Sequence, residues 1–357
     1  MGGDSCCFLI RPKTEEDKIN EDINRQLHKD RKLLRRECRI LLLGCGGAGK
    51  STFIKQMRVI HSEGFSKEER IRYKKNIADN IKDSIIALLD NKVGEFDTKE
   101  EEDSAIRCRY IDDMNDVIDL LQDIDIVWKS APIQKAYGMR NRFQLPESCK
   151  YFMNRKEVIM APDYIPKNND IFNIRVRTTG IIENFFDVTI NGVPSRLTFI
   201  DVGGQRNERR KWIHIFDNVM LILFITAISE YDETLEEDPS MNRIRESLNL
   251  FSTILRYRWF SEKGIILFLN KKDVFKEKVE SGSNVVDYFP EFKGEVKNVK
   301  PAMEFFHRKY LDLNPDPKAR TIYVHKTQAT DTKNMSVIDS VIHDIIMQKI
   351  LNEAHLN

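Results

Sequence analysis

Short, strongly apolar runs punctuate the chain: Arg39 to Leu43, Val219 to Ile225 and Ile265 to Leu269. All are far below the ~20 residues a helix needs to cross a bilayer, and such runs read as strands buried on both faces of a parallel sheet. The first ends at a glycine, after which an apolar helical pattern runs from Lys50 to Ile60. Strand patterns return at Phe185 to Ile190 and Leu197 to Ile200, and Asn191-Gly192 between them predicts a two-residue hairpin. Pro194 cannot donate to a ladder, which places that ribbon near the sheet edge. Strand-then-helix units follow at 219–225, 264–269 and 320–325, and a last helix is expected over Met335 to Leu351, with Ile338, Val341, Ile342, Ile345, Ile346 and Ile350 on one face. The alternation predicts an α/β fold with a doubly wound, mostly parallel sheet.

Between about Ser66 and Asp170 the pattern differs. Helical spacing and charge persist without a β-branched run, which predicts an inserted all-helical domain over 64–172. Residues 8–37 are densely charged, with Ile19, Ile23, Leu27 and Leu34 at roughly helical intervals, and read as one long solvated helix closing a separate region, 1–37. The α/β domain then comprises 38–63 and 173–357.

Composition adds limits. With 357 residues, 41% hydrophobic and 32% charged, the chain can bury a full core and is long enough for two domains. A net charge of +1 gives no global field for a polyanion, so nucleic acid is not an expected partner. The six cysteines show no regular spacing, which fits a reducing compartment. None of the seven histidines stands at metal-ligand spacing, so no histidine metal site is expected.

Candidate chemistry begins at Gly44-Cys45-Gly46-Gly47-Ala48-Gly49-Lys50-Ser51, which matches G-x-x-x-x-G-K-[ST] between a strand and a helix. Glycines let successive N–H groups point inward as an anion nest at a helix N-terminus. Lys50 would reach the outer phosphates and the Ser51 hydroxyl would ligate Mg²⁺. An ordinary glycine-rich turn is the competing reading. The loop alone does not separate GTP from ATP, or a switch from a kinase.

Asn270-Lys271-Lys272-Asp273 follows a strand directly, at the end of the sheet where ligands bind. The Asp273 carboxylate can accept from guanine N1–H and from the exocyclic amine, a pattern adenine lacks. Thr327-Gln328-Ala329-Thr330 resembles the second guanine-contacting loop of GTPases, and Asp201-Val202-Gly203-Gly204-Gln205 resembles their D-x-x-G-Q element. There Asp201 would hold Mg²⁺ through water, Gly204 would offer its N–H to the γ-phosphate, and Gln205 would orient the attacking water.

In this order, and with the helical insertion between the phosphate loop and Ile174-Arg175-Val176-Arg177-Thr178-Thr179-Gly180, the motifs resemble a heterotrimeric G-protein alpha subunit over nearly the whole chain. Supporting stretches are Lys50 through Met57, Gln205 through His214, and Met241-Asn242-Arg243. The resemblance implies a P-loop, Ras-like GTPase domain that binds GTP and GDP with Mg²⁺. It implies Arg175 as an arginine finger supplied in cis to stabilise the transition state of phosphoryl transfer, although Arg177 beside it is an equally available cation. Thr178 would join Ser51 and Asp201 around the metal. Gly44, Gly46, Gly47, Ala48, Gly49, Lys50, Ser51, Thr52, Asn270, Lys271, Asp273, Thr327 and Ala329 would surround the nucleotide. Glu147 and Ser148, within Leu145-Pro146-Glu147-Ser148, would face it across the cleft, with Phe172 and Asn173 beside them.

Implied partners are a beta/gamma dimer, a seven-helix receptor, a regulator of G-protein signalling and an effector, at the cytoplasmic face of the plasma membrane. Met1-Gly2-Gly3-Asp4-Ser5-Cys6-Cys7 begins like a myristoylation signal with Cys6 where Ser or Thr is preferred, and Cys6 and Cys7 are candidate palmitoylation sites. Two departures fall where the helical domain closes on the nucleotide: Gly47-Ala48 replaces the usual Glu-Ser, and Phe172-Asn173 the usual Leu-Arg. Lost ion pairing there predicts faster spontaneous GDP release. Competing functions are a non-hydrolysing, GTP-regulated membrane scaffold and an ATP-using P-loop kinase or ATPase.

Overall fold

The computed structural model describes residues 37–190 and 192–355, so the expected N-terminal helix, the lipidation positions Gly2, Cys6 and Cys7, and Asn191 of the hairpin lie outside the described residues. Six strands form one sheet in the order β2-β3-β1-β4-β5-β6: β1 (Glu37–Leu43), β2 (Ile181–Ile190), β3 (Val193–Val202), β4 (Leu221–Ala227), β5 (Gly264–Asn270) and β6 (Ile322–Lys326). Every pairing is parallel except β2 with β3, whose register joins Ile190 to Val193 across a two-residue connection. β2 is an edge strand, and Pro194 stands at the start of β3, before its pairing with β1 begins at Arg196.

Alternate side chains of the buried strands feed two cores. Leu41, Leu43, Ile222, Phe224, Ile265 and Leu267 meet helices α3 (Arg243–Arg256), α4 (Lys272–Ser281) and α5 (Val299–Leu311) on one face. Ile40, Leu42, Leu223, Ile266 and Phe268 meet α1 (Lys50–His61) and α6 (Thr332–His355) on the other. Period-two alternation thus explains helices on both faces.

Differences from expectation sit at element ends. Val219 and Met220 precede β4, although Met220 N–H already donates to the Arg39 carbonyl (2.9 Å) and Asn218 turns the chain with φ 61°. β2 starts four residues before Phe185, β6 starts at Ile322, and α6 starts at Thr332.

The chain from 67 to 173 holds helices only among its regular elements, and they bury a core of their own. Helix α2 (Lys67–Asp90) starts at a capping box, in which Ser66 Oγ accepts from Glu69 N–H (3.3 Å) and Ser66 N–H donates to the Glu69 carboxylate (2.9 Å). Its buried stripe, Ile77, Ile81, Ile85 and Leu88, packs against Val117, Ile124, Phe152 and Ile171 of shorter helices. No helix among the described residues is long and apolar enough to cross a membrane.

Candidate functional site

A cleft of about 720 Å³ opens between the C-terminal ends of the parallel strands and the helical segment. Its floor is the loop from Gly44 to Ser51. Gly49 has φ 105° and Gly47 φ 81°, conformations that a side chain strains. A Cβ on Gly44 would run into the Ile225 carbonyl, and one on Gly204 would stand 2.5 Å from both the Gly44 carbonyl and Lys50 Nζ. Glycine at these positions is therefore a matter of space as well as of φ.

Lys50 is buried at the start of α1, and its ammonium donates to the Gly44 and Cys45 carbonyls (both 3.0 Å). Beside it three oxygens converge. Ser51 Oγ donates to Asp201 Oδ2 (2.8 Å) and lies 2.7 Å from Thr178 Oγ1, while Asp201 Oδ1 is buried without a hydrogen-bond partner. Burial pushes the Asp201 carboxyl up, partly offset by Lys50, and pushes Lys50 down, partly offset by Asp201. Three oxygens of carboxylate and hydroxyl type around an orphaned lone pair are a hard-cation donor set, and the residues fit Mg²⁺.

Asn270 ties three segments together. Its buried amide donates to the Ala48 carbonyl (2.8 Å) and accepts from Thr327 Oγ1 (3.1 Å) and Ala329 N–H (3.0 Å). Thr327 is itself fully buried, and the Ala329 carbonyl accepts from Gln56 of α1 (2.8 Å). Asp273 lies exposed on the cleft wall, as the second residue of α4. Lys271, with φ 60°, carries an ammonium held by the carboxylates of Glu230 (3.2 Å) and Glu147. The latter contact crosses the cleft from the helical segment, as do Asn141 to Tyr288 (3.1 Å) and Gln144 to the Thr234 carbonyl (3.1 Å). Ser148 is buried with its hydroxyl unpartnered.

The strap from 174 to 180 separates its two arginines. Both line the cleft, but Arg177 is tied up in an ion pair with Glu236, whereas Arg175 has its backbone clamped to Asn80 (2.8 and 2.9 Å). Gln205 lines the cleft against the phosphate loop, where a Cβ on Gly46 would stand 3.3 Å from its Cγ. The chain then runs through 3-10 turns, Arg209–Ile215, and Arg206 and Arg209 both grip Glu246 of α3 (2.7 and 2.5 Å). Thr52 donates weakly to the Phe172 carbonyl (3.4 Å). The Phe172 ring is 2% exposed within the helical core, and Asn173 bonds back to the Asn169 carbonyl (2.8 Å).

Sequence reasoning left out Glu230 and the way it joins Arg243 to Lys271 behind the loop. Arg243 donates to the Gly46 carbonyl (2.7 Å) and to Glu230 (2.8 Å), and Glu230 also meets Lys271. Burial alone would raise Glu230, but the Arg243 and Lys271 charges hold its carboxyl well below the ordinary range. The only signal was local: Arg243 begins a helix whose cap, Asn242, accepts from two N–H groups.

A parallel sheet with a glycine loop, a buried lysine and a hard-cation donor set at its strand ends defines an α/β protein built to hold a phosphorylated ligand. The family is narrower: residues 17–346 match the model for the G-protein alpha subunit, and the chain belongs to that family. It is accordingly a guanine-nucleotide-binding signal transducer, of a family that binds GTP and GDP, typically with Mg²⁺, interacts with beta/gamma subunits and receptors, and works peripherally at membranes.

Proposed function

We propose that the protein is a GTP-hydrolysing switch, with 38–63 and 173–357 as a Ras-like GTPase domain and 64–172 as a helical domain closing over the nucleotide. The observation that carries this reading is the convergence of Lys50, Ser51, Thr178, Asp201, Arg175, Gln205 and Asp273 on one cleft. The amides of the loop and Lys50 hold the phosphates, and Asp273 accepts from the guanine edge. Asn270 acts as a girder, fixing the phosphate loop relative to Thr327 and Ala329. Ser51, Thr178 and Asp201 would hold Mg²⁺, which supplies charge neutralisation between the outer phosphates.

In hydrolysis, Gln205 orients the water and Arg175 stabilises charge developing on the transferred phosphoryl group. The pairing of Arg177 with Glu236 favours Arg175 over its neighbour for this role. Gln205 against the phosphate loop favours an enzyme over a non-hydrolysing scaffold. Glu147 reaches the site through Lys271, and Phe172 through its carbonyl.

Receptor, regulator of G-protein signalling, effector and beta/gamma dimer are the partners of this reading, at the cytoplasmic face of the plasma membrane. Gly47, facing Arg243 without a carboxylate, supports faster spontaneous GDP release. Competition of GTP and ATP against a fluorescent GDP analogue tests the base assignment. GTP should displace it and ATP should not; displacement by ATP at equal concentration overturns the reading.

A further inference from the structure

His61 ends α1 and meets α6, where Asp339 and His343 stand four residues apart on one face. His61 Nε2 lies 2.8 Å from Asp339 Oδ1, and His343 Nε2 lies 3.8 Å from the same oxygen. The two imidazoles stack with ring centroids 5.7 Å apart. All three ligand atoms lie within 4.8 Å of one another. In a tetrahedral zinc site with bonds of ~2.0–2.1 Å, neighbouring ligand atoms stand about 3.3 Å apart, and the two measured separations bracket that value. His343 Nε2 is buried with no hydrogen-bond partner, so an ordinary ion pair between His61 and Asp339 leaves it unaccounted for.

We propose that His61, Asp339 and His343 form a binding site for a transition-metal dication of the zinc class, which fastens α6 to α1. Two imidazoles and one carboxylate suit zinc, copper or nickel better than the oxygen-seeking Mg²⁺ and Ca²⁺, and three protein ligands leave a fourth position for water. This set is distinct from Ser51, Thr178 and Asp201, which offer oxygen alone. Its position gives it reach. Helix α1 starts at Lys50 of the phosphate loop, and α6 follows the loop whose Ala329 holds Asn270 and Gln56. An ion bound to the folded form would stabilise the protein by mass action and brace both sides of the cleft floor.

The test uses full-length protein with GDP and Mg²⁺, stripped of other metals by a chelator and titrated with ZnCl₂ against a chromophoric indicator. One equivalent of Zn²⁺ should bind per chain despite excess Mg²⁺, raise the thermal midpoint, and bind at least about tenfold more weakly in His61→Gln and His343→Gln. Cobalt(II) replaces zinc as a spectroscopic probe and needs no variant. Ligand-field bands without thiolate-to-metal charge transfer support the nitrogen and oxygen set. Absence of saturable Zn²⁺ binding, unchanged affinity in both variants, or a thiolate spectrum from a cysteine site each overturns the proposal.

Discussion

Removing the charge of Glu147 should loosen the cleft by a predictable amount. Its carboxylate is the one cross-cleft partner of Lys271 among the described residues, and Lys271 is also held by Glu230. The Lys271 side chain is 16% exposed, but Glu147 is 41% exposed, so water screens the pair from one side. An interaction of that kind contributes about 1 kcal/mol after solvent screening, short of the larger cost of breaking a fully buried pair. Other cross-cleft contacts, among them Asn141 to Tyr288, Gln144 to Thr234 and the Arg140 and Lys150 pairs with Glu277, persist in Glu147→Gln, so the cleft stays assembled but opens more often. A loss of ~1 kcal/mol from the closed state corresponds to roughly fivefold faster release of a trapped nucleotide. Stopped-flow release of a fluorescent GDP analogue measures this directly. Because exposed charge is screened by salt, raising NaCl to ~1 M should accelerate the unmodified protein more than the variant, which among the described residues keeps only the Arg140 and Lys150 pairs with Glu277 across the cleft to be screened. A release rate unchanged by Glu147→Gln, or equal acceleration of both proteins by salt, would refute the reasoning.

Gly47→Glu with Ala48→Ser should slow GDP release. A Cβ at 47 stands 3.0 Å from Arg243 Nη2, and pairing there must outweigh ~1–3 kcal/mol of strain at φ 81°; identical rates in the two proteins would sink the idea. Asn270→Ala leaves the Ala48 carbonyl, Thr327 hydroxyl and Ala329 N–H without their buried partner, at a cost of ~3 kcal/mol. The urea midpoint should fall at constant m-value, and a loss below ~1 kcal/mol contradicts the girder role. His325 of β6 is held below the ordinary imidazole range by burial. The unfolded chain therefore binds its proton first as pH falls through ~6.5, and His325 costs stability on acidification. The stability of the unmodified protein relative to His325→Gln should decline from pH 7.5 to 5.5, and a rise is the contrary result.

The elements most legible in the sequence are those whose pattern is decided locally. β4 and β5 are buried at every position, so an unbroken apolar run was sufficient to find them. The phosphate loop is contiguous, and its spacing carries its chemistry. The start of β2 was not visible because Ile181 and Ile182 are exposed on an edge strand, where no alternation is imposed. What joins distant segments was hidden altogether. Arg243 reaches Gly46 across 197 residues, and Gln56 reaches Ala329 across 273. The same reason hid the meeting of His61 with Asp339 and His343, which sequence spacing had argued against. Phe172 and Asn173 were expected at the nucleotide. Both line the cleft, but the Phe172 ring turns into the helical core through nonlocal packing that the sequence does not display, while Asn173 bonds locally to the Asn169 carbonyl.

The most direct test of the switch is single-turnover hydrolysis of GTP by the purified chain, started with Mg²⁺ and followed as phosphate release. The account predicts one phosphate per bound GTP, with Arg175→Ala slowing release about 10³-fold or more, Gln205→Leu also impaired, and Arg177→Ala nearly unchanged. Retention of GTP uncleaved by the unmodified protein, or an equal loss in Arg175→Ala and Arg177→Ala, would contradict it.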